Sequence, residues 1–266
     1  MLEIKNVHKT FNKGTINEKK ALNGVNLHLD PGDFVTIIGG NGAGKSTTLN
    51  MVAGVYPIDQ GTIILDGKDI SDLPEYKRAY MLGRVFQDPM MGTAAGMQIE
   101  ENMAMANRRG KKRGLSWGNH KKRKKEMFKK ITNARLRTRR SNDIQSRTII
   151  RRSETGIDTA YGNTEETKPA IIDEHTAALD PKTAKKVLDI TEKIVARDNL
   201  TTMMVTHNMK DAINIGNRLI MMSDGKIIYD VKGEEKKKLK VADLLQKFEE
   251  ASGGEFANDR MLLSLN

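Results

Sequence analysis

The chain has 266 residues, 38% of them hydrophobic, and it contains no cysteine. This length allows one large α/β domain with inserted parts or two small domains, and the lack of cysteine excludes both a disulfide framework and a thiolate metal site. The N-terminus shows no apolar leader, and no apolar run approaches the roughly 20 residues that span a bilayer. We therefore expect a cytoplasmic protein without a signal peptide or membrane span.

The formal net charge of +11 comes from one segment. Residues 108–152 contain 19 of the 45 basic residues and two of the 34 acidic ones, so the rest of the chain has 26 basic and 32 acidic residues, a balance of −6. Such a block could bind nucleic acid or anionic lipid, or it could be a solvated or disordered surface.

Hydrophobic patterning predicts strands that alternate with helices. Residues 2–11 and 20–38 alternate apolar and polar positions, as in strands and hairpins, and the apolar run at 34–38 suits a buried strand. Alternation of the two element types favours a mostly parallel sheet. Further strands are predicted at 61–66, 84–86, 170–172, 201–206 and 218–222, and helices at 46–55, within 69–82, from 99 to 105, and at 184–197, 211–215 and 234–256.

The run Gly39–Ser46 matches G-x-x-x-x-G-K-[ST] in full, between a predicted strand and a predicted helix. This context is that of a phosphate-binding loop. Glycines let backbone N–H groups turn towards phosphate oxygens, and the helix N-terminus adds its dipole. We expect Lys45 to reach the β- and γ-phosphates of a nucleotide and Ser46 to ligate Mg²⁺.

Four polar residues follow the ends of other predicted strands. Asp173 and Glu174 come after the apolar run at 170–172, which suits a Mg²⁺ ligand and a carboxylate that polarises a water molecule. His207 follows a strand 33 residues beyond Glu174, and Gln87 follows another strand. Each residue alone would more often be structural.

In order and spacing, from about Leu2 to Gly225, these motifs resemble the ATP-binding subunits of ABC transporters. The resemblance implies an α/β P-loop NTPase fold of the ABC-ATPase type, with a RecA-like core, an antiparallel β-subdomain and an inserted helical subdomain. It implies that Glu174 is the catalytic base, that His207 contacts the γ-phosphate and that Gln87 senses the lytic water.

The resemblance also implies the ligand contacts. Mg²⁺ would be held by Ser46 and Asp173 and sensed by Gln87. ATP would be bound by Phe11, which stacks on adenine, by the Walker A loop, and by Asp180 at the end of a D-loop at 177–180. The loop contacts are Gly39, Asn41, Gly42, Ala43, Gly44, Lys45, Ser46 and Thr47.

A single ABC ATP-binding domain over 1–266 is expected, with an α/β core at 1–89 and 166–230, a helical subdomain at 90–165 and a C-terminal helical extension at 231–266. Its implied partners are a second identical subunit and transmembrane permease subunits, at the inner face of the cell membrane. The runs at 173–184 and 256–263 resemble stand-alone bacterial importer subunits, which adds an extracytoplasmic substrate-binding protein. No nucleic acid partner is expected.

The chain departs from the family at one motif. The signature LSGGQ, expected 20–25 residues before Asp173, is absent, and Ile150–Asp158 stands there instead. When 150–167 is written in synonymous codons and read one nucleotide later, Ser-Gly-Gly-Gln and an apolar helical pattern emerge. We therefore predict that about 132–172 is out of frame between two compensating single-nucleotide changes, or else is a diverged helical subdomain.

Two other functions remain open at this stage. The basic block favours a soluble ABC ATPase that acts on nucleic acid or ribosomes, although the chain has neither two cassettes nor a long coiled-coil insertion. The missing signature favours a cassette that binds ATP but hydrolyses it poorly.

Overall fold

The structure is a computed structural model that describes residues 1–87, 94, 96–97, 101–102, 105, 169–174, 176 and 179–251. Most of the helical subdomain predicted at 90–165, and the anomalous stretch up to residue 168, lie outside the described residues. The last residues of that stretch are described and form a short strand.

The described strands form two sheets. The first sheet is antiparallel and has the order β2-β1-β4-β5. Its strands are β1 (Leu2–Phe11), β2 (Lys19–Leu29), β4 (Gln60–Leu65) and β5 (Lys68–Asp69).

The second sheet has the order β10-β9-β3-β8-β7-β6. Neighbouring strands are parallel except for the pair β9 and β10, which is antiparallel. The mostly parallel sheet predicted from the sequence is therefore confirmed. Its strands are β3 (Phe34–Gly39), β6 (Gly83–Val85), β7 (Ala170–Asp173), β8 (Thr202–Val205), β9 (Arg218–Ser223) and β10 (Lys226–Lys232).

Six helices lie among the described residues. The longest begins at Pro181 and is capped by Asp180, whose side chain accepts a hydrogen bond from the N–H of Thr183; an aspartate cap followed by proline is a strong helix start. In this part of the chain no helix is long and apolar enough to cross a bilayer. The helices are α1 (Lys45–Ala53), α2 (Glu75–Arg78), α3 (Pro181–Arg197), α4 (Met209–Asn214), α5 (Glu234–Lys238) and α6 (Val241–Ala251).

Both faces of the parallel sheet are buried, so its strands are apolar along their whole length. Val35 and Ile37 of β3 pack towards α1 and the antiparallel sheet. Phe34, on the other face, packs with α3. A third cluster joins Ile38 to α4, β9, β10 and α6. The carboxyl ends of the parallel strands meet at one edge, where ligands bind in sheets of this kind.

One sequence-based prediction at the C-terminus was wrong, and one strand there was missed. The tail at 234–256 is not one helix, because Leu239 is extended (φ −63°, ψ 142°) and separates α5 from α6. The strand β10 was not predicted; it pairs with β9 across the turn at Asp224 and Gly225. Both features depend on tertiary partners, which a local pattern does not contain.

Candidate functional site

Three neighbouring strands end in the same row of the parallel sheet. Val205 of β8 pairs with Ile37 of β3 on one side and with Asp173 of β7 on the other. Beyond the strands, the N–H of Glu174 donates to the carbonyl oxygen of Val205 (3.1 Å), and the N–H of Thr206 donates to that of Ile37 (3.2 Å). These bonds bring the glycine-rich loop, the two carboxylates and the His207 loop to one edge.

Two glycines allow the loop to pass close to neighbouring backbone. A β-carbon at Gly39 would lie 2.2 Å from the carbonyl oxygen of Met222, and one at Gly44 would lie 2.7 Å from that of Ala21. Gly44 also has φ of 99°, a left-handed conformation that other residues rarely adopt. The glycine spacing is therefore required by how β9 and β2 enclose the loop.

Helix α1 begins at Lys45 with no side-chain hydrogen bond at its Gly44 cap. The first backbone N–H groups of a helix have no acceptor within the helix, and together with the helix dipole they suit an anion. The Nζ of Lys45 donates to the carbonyl oxygens of Gly39 (2.8 Å) and Gly40 (2.9 Å). Burial lowers the pKa of Lys45, and the charges of Glu174 and Asp173 oppose that shift.

Ser46 and Asp173 meet across the sheet edge. The hydroxyl of Ser46 donates to Oδ1 of Asp173 at 3.3 Å. Burial raises the pKa of Asp173, and the adjacent charge of Glu174 raises it further. This oxygen pair fits Mg²⁺, which commonly takes one or two protein oxygens together with phosphate; among the described residues no cluster of three His, Cys, Asp or Glu could hold a metal alone.

Glu174 points towards His207. Its Oε1 lies 2.5 Å from Nε2 of His207, and the carboxylate is largely buried while the imidazole is half exposed. Glu174 has φ of 42°, a left-handed conformation that costs a non-glycine residue on the order of 1 kcal/mol and concentrates at functional sites. The bend turns the side chain out of the strand line and towards the histidine.

Gln87 lies two residues beyond the end of β6, with an exposed side chain. Strand β6 pairs with β7 from Gly83 to Val85, so Gln87 follows the strand next to the one that carries Asp173. The preceding Arg84 donates to Oδ1 of Asn50 at 2.5 Å and opposes the raised pKa of Asp173. Sequence reasoning did not single out Arg84, because an arginine inside a three-residue strand carries no motif.

Phe11 lies near the phosphate loop, and Lys19 lies between the two. The two residues are register partners of β1 and β2, and a β-carbon at Gly42 would lie 2.9 Å from Nζ of Lys19. The ring of Phe11 packs edge-on against Tyr56, with centroids 5.2 Å apart. Lys19 is thus a cation between the predicted adenine contact and the loop. Sequence reasoning missed it, because its pairing with Phe11 depends on the register of β1 and β2.

The remaining predicted contacts have distinct positions. Asn41 is exposed in the loop, Ala43 is buried beneath it, and Thr47 is half-buried in the first turn of α1. Asp180 is exposed, and its carboxylate caps α3, which lowers its pKa through the hydrogen bond with Thr183. The cap explains an aspartate there independently of any nucleotide.

Comparisons with known proteins agree with this geometry. A family model described as "ABC transporter" matches residues 22–255. The tyrosine transport ATP-binding protein of Clostridioides difficile (strain R20291) is 39% identical over 252 residues, which cover 94% of this chain and all of that protein. The xylose/arabinose import ATP-binding protein XylG of Sulfolobus acidocaldarius is 28% identical over 249 residues, 93% of this chain and 94% of that one.

A solved structure has the same fold. The ATP-binding cassette MJ0796, in a dimeric post-hydrolysis state bound to ADP and Pi, superposes with a TM-score of 0.70 at 29% identity. The match covers 87% of this chain and 98% of that one.

Proposed function

The chain belongs to the ABC transporter family, as one of its ATPase cassettes, and we propose that it is the ATP-binding subunit of an importer. In this proposal MgATP hydrolysis drives a solute through a separate transmembrane permease. The observation that carries it is the meeting of the phosphate loop with two carboxylates and a histidine at adjacent strand ends, where Ser46 Oγ lies 3.3 Å from Asp173 Oδ1.

The loop would hold the phosphates of ATP. N–H groups at the start of α1 donate no bond within the helix and are free to bind phosphate oxygens. Lys45 then moves from the carbonyl oxygens of Gly39 and Gly40 to the β- and γ-phosphates. Ser46 and Asp173 would hold Mg²⁺, which supplies charge neutralisation on the phosphates when it is bound.

Glu174 and His207 would act on the reaction itself. Glu174 accepts a hydrogen bond from a water molecule and orients its oxygen towards the γ-phosphorus, in line with the leaving group. The new O–P bond forms as the bond from phosphorus to the bridging oxygen breaks, ADP leaves, and the proton of the water passes to Glu174 or to phosphate. His207, within 2.5 Å of that carboxylate, donates to the γ-phosphate.

Partners follow from the relatives by analogy. The MJ0796 cassette is dimeric, and we propose that two copies of this chain enclose two nucleotides at the inner membrane face. The two relatives are named for tyrosine and for xylose or arabinose. Cassettes of one fold therefore serve different solutes, so the permease and an extracytoplasmic binding protein would set the specificity here.

The permease would dock beside Gln87. Tyr76 on α2 is a large apolar side chain that is 73% exposed, and its neighbour Glu75 lies 3.6 Å from Arg84, three residues before Gln87. An exposed aromatic side chain next to the nucleotide site is suited to transmit a change at that site to a bound partner.

The test is to compare the wild-type chain with Glu174→Gln. We expect both to bind MgATP with dissociation constants within about threefold, because the substitution keeps size and polarity, whereas hydrolysis falls by about 100-fold or more. Calorimetric titration measures binding, and phosphate release measures turnover. A wild-type chain that binds no nucleotide would refute the proposal.

A second candidate rests on the sequence at 150–158, where the signature is missing. The signature completes the site of the partner subunit by directing N–H groups at the γ-phosphate. A cassette that lacks it would bind MgATP but show background turnover that Glu174→Gln does not lower further. Sequencing the encoding DNA across this stretch decides whether the signature exists in another frame.

A further inference from the structure

The C-terminal helix α6 reaches the phosphate loop through Phe248. A β-carbon at Gly40 would lie 3.2 Å from Cζ of Phe248, so the tip of the ring lies where a side chain at position 40 would stand. Gly40 is not among the residues with positive φ. The backbone at position 40 therefore does not demand glycine, and the space that glycine leaves is taken by the ring.

Gly40 organises the loop from inside. Its carbonyl oxygen accepts hydrogen bonds from Nζ of Lys45 (2.9 Å) and from the N–H of Ala43 (3.2 Å). Before nucleotide binds, one bond holds the ammonium of Lys45 beside the loop, and the other closes the turn of the loop. A contact that fixes Gly40 therefore fixes the orientation of both groups.

The helix that carries Phe248 is anchored to both sides of the site. Leu244 of α6 is fully buried, in a cluster that includes Ile38 and Met209. Ile38 directly precedes the loop, and Met209 lies two residues after His207. Because the cluster is close-packed, α6 has little freedom to shift without disturbing these residues.

We propose that Phe248 is a positioning residue for nucleotide binding: its ring presses on Gly40 and holds the loop in the shape that binds phosphate. The inference rests on the proposed function, since it assigns no role to Phe248 without a bound nucleotide. It makes the C-terminal extension part of the nucleotide site rather than an appendage of the fold.

The matched comparison is Phe248→Ala against Leu245→Ala. Leu245 lies one turn earlier on α6, is likewise half-buried and packs in the same cluster. Both substitutions weaken the docking of α6, but only one removes the contact with Gly40. We expect the dissociation constant for MgADP, measured with a fluorescent anthraniloyl derivative, to rise about tenfold in Phe248→Ala and to stay within about twofold in Leu245→Ala, at similar losses of Tm.

A second pair tests the contact from the other side. Gly40→Ala adds a methyl group against the ring and is expected to weaken binding, because the loop or the ring must shift. Adding Phe248→Ala to Gly40→Ala then restores part of the affinity, since the ring no longer opposes the methyl group. Phe248→Ala would then weaken binding in the wild-type background and strengthen it in the Gly40→Ala background. This change of sign measures an energetic coupling between the two positions.

The outcomes separate the two proposals. A wild-type chain that does not bind MgADP overturns the proposed function and this inference together. If the wild type binds but Phe248→Ala and Leu245→Ala change affinity equally, or the effects of Gly40→Ala and Phe248→Ala simply add, only the positioning role is overturned. If Phe248→Ala does not fold, the Gly40→Ala variant still decides, because unchanged affinity there contradicts a tight contact.

Discussion

A buried cation lies at each end of helix α1: Arg78 of α2 at the C-terminal end and Lys45 at the N-terminal end. The two ends differ in how completely their backbone groups are hydrogen-bonded. At the C-terminal end, the guanidinium of Arg78 donates to the carbonyl oxygens of Met51 (2.7 Å), Val52 (3.0 Å), Ser71 (2.8 Å) and Leu73 (2.6 Å). A cation is favoured there by the helix dipole. The end is closed, because the last carbonyl groups of the helix have a partner.

At the N-terminal end, Lys45 is a cation where the dipole favours an anion. It is 5% exposed, and within the described part of the chain its Nζ donates to two loop carbonyl oxygens. The nearby carboxylates are unfavourably placed as anions, since burial and the charge of Glu174 raise the pKa of Asp173. The N-terminal end is thus arranged for an added anion and cation, whereas the C-terminal end is complete.

The largest expected effect comes from a substitution at the open, N-terminal end of α1. Lys45→Ala should weaken MgATP binding by at least about 30-fold, because truncating a buried cation that pairs with phosphate costs about 2 kcal/mol or more. Thermal unfolding without nucleotide should change little, since the buried ammonium gives up hydration in the folded state. Lys20→Ala, which removes an exposed ammonium from β2, is the control for charge. A loss of affinity equal in both variants would contradict the assignment.

The next largest effect comes from a substitution at the closed, C-terminal end of α1. Arg78→Met should lower the free energy of unfolding by about 3 kcal/mol, because it leaves buried carbonyl groups without a donor. Affinity for MgATP, measured well below the unfolding temperature, should stay within about twofold. Lys77→Met, on the exposed face of α2, should leave stability within about 0.5 kcal/mol. Urea titration followed by circular dichroism gives the stabilities, and a stable Arg78→Met protein would contradict the structural role.

The contrast between the two ends also explains what sequence reasoning found. The open end could be predicted from local sequence, because the glycines of the loop, Lys45 and Ser46 are close together in the chain. Asp173 could be predicted because it follows an apolar run. The fold class was predicted for the same reason, since strands buried on both faces are continuous apolar runs. The closed end was missed because Arg78 reads as an exposed residue of a short helix, and its acceptors come from α1 and a loop.

The same limit applies at the C-terminus. Residues 234–256 have the apolar spacing of one helix, but α5 ends at Lys238, and its Lys236 is buried and donates to the carbonyl oxygens of Ile215 and Gly216. The contact of Phe248 with Gly40 joins residues far apart in sequence. The predicted subdomain at 90–165 lies mostly outside the described residues, so its boundaries stay a prediction.

A smaller effect, on stability, is expected from a substitution of Asp173 at the open end. Asp173→Asn should raise the free energy of unfolding by about 1 kcal/mol at pH 7, as removal of strain at a functional site often does. The sign follows from the pKa, which lies above the unfolded value of 3.8. Folding therefore costs free energy while the carboxylate is charged, and the gain should shrink as the pH falls through the folded pKa towards 3.8.

The ligand response separates this effect from a simple gain in stability. MgATP should raise the Tm of the wild type more than that of Asp173→Asn, because the variant has lost a proposed Mg²⁺ ligand. Asp211→Asn is the matched control: burial also raises the pKa of Asp211, but it lies in α4, so its response to MgATP should equal that of the wild type. If MgATP raised the Tm of all three proteins equally, the assignment of Asp173 to the metal site would be wrong.

The last effect concerns a second closed helix end, where the cation can titrate. Lys236 caps α4 through the carbonyl oxygens of Ile215 and Gly216, and burial lowers its pKa from 10.5 to about 8, with Glu192 opposing the shift. Between these two values the unfolded chain binds more protons than the folded one, so the contribution of Lys236 to stability rises with pH. The free energy of unfolding of the wild type, relative to Lys236→Met, should therefore increase from about pH 7 to about pH 10. Lys237→Met, which removes an ammonium that is 73% exposed and paired with Glu234, is the control for loss of a charge from the same helix. A flat difference for Lys236→Met would mean that its ammonium is as well solvated as an exposed one, contrary to its burial in the structure.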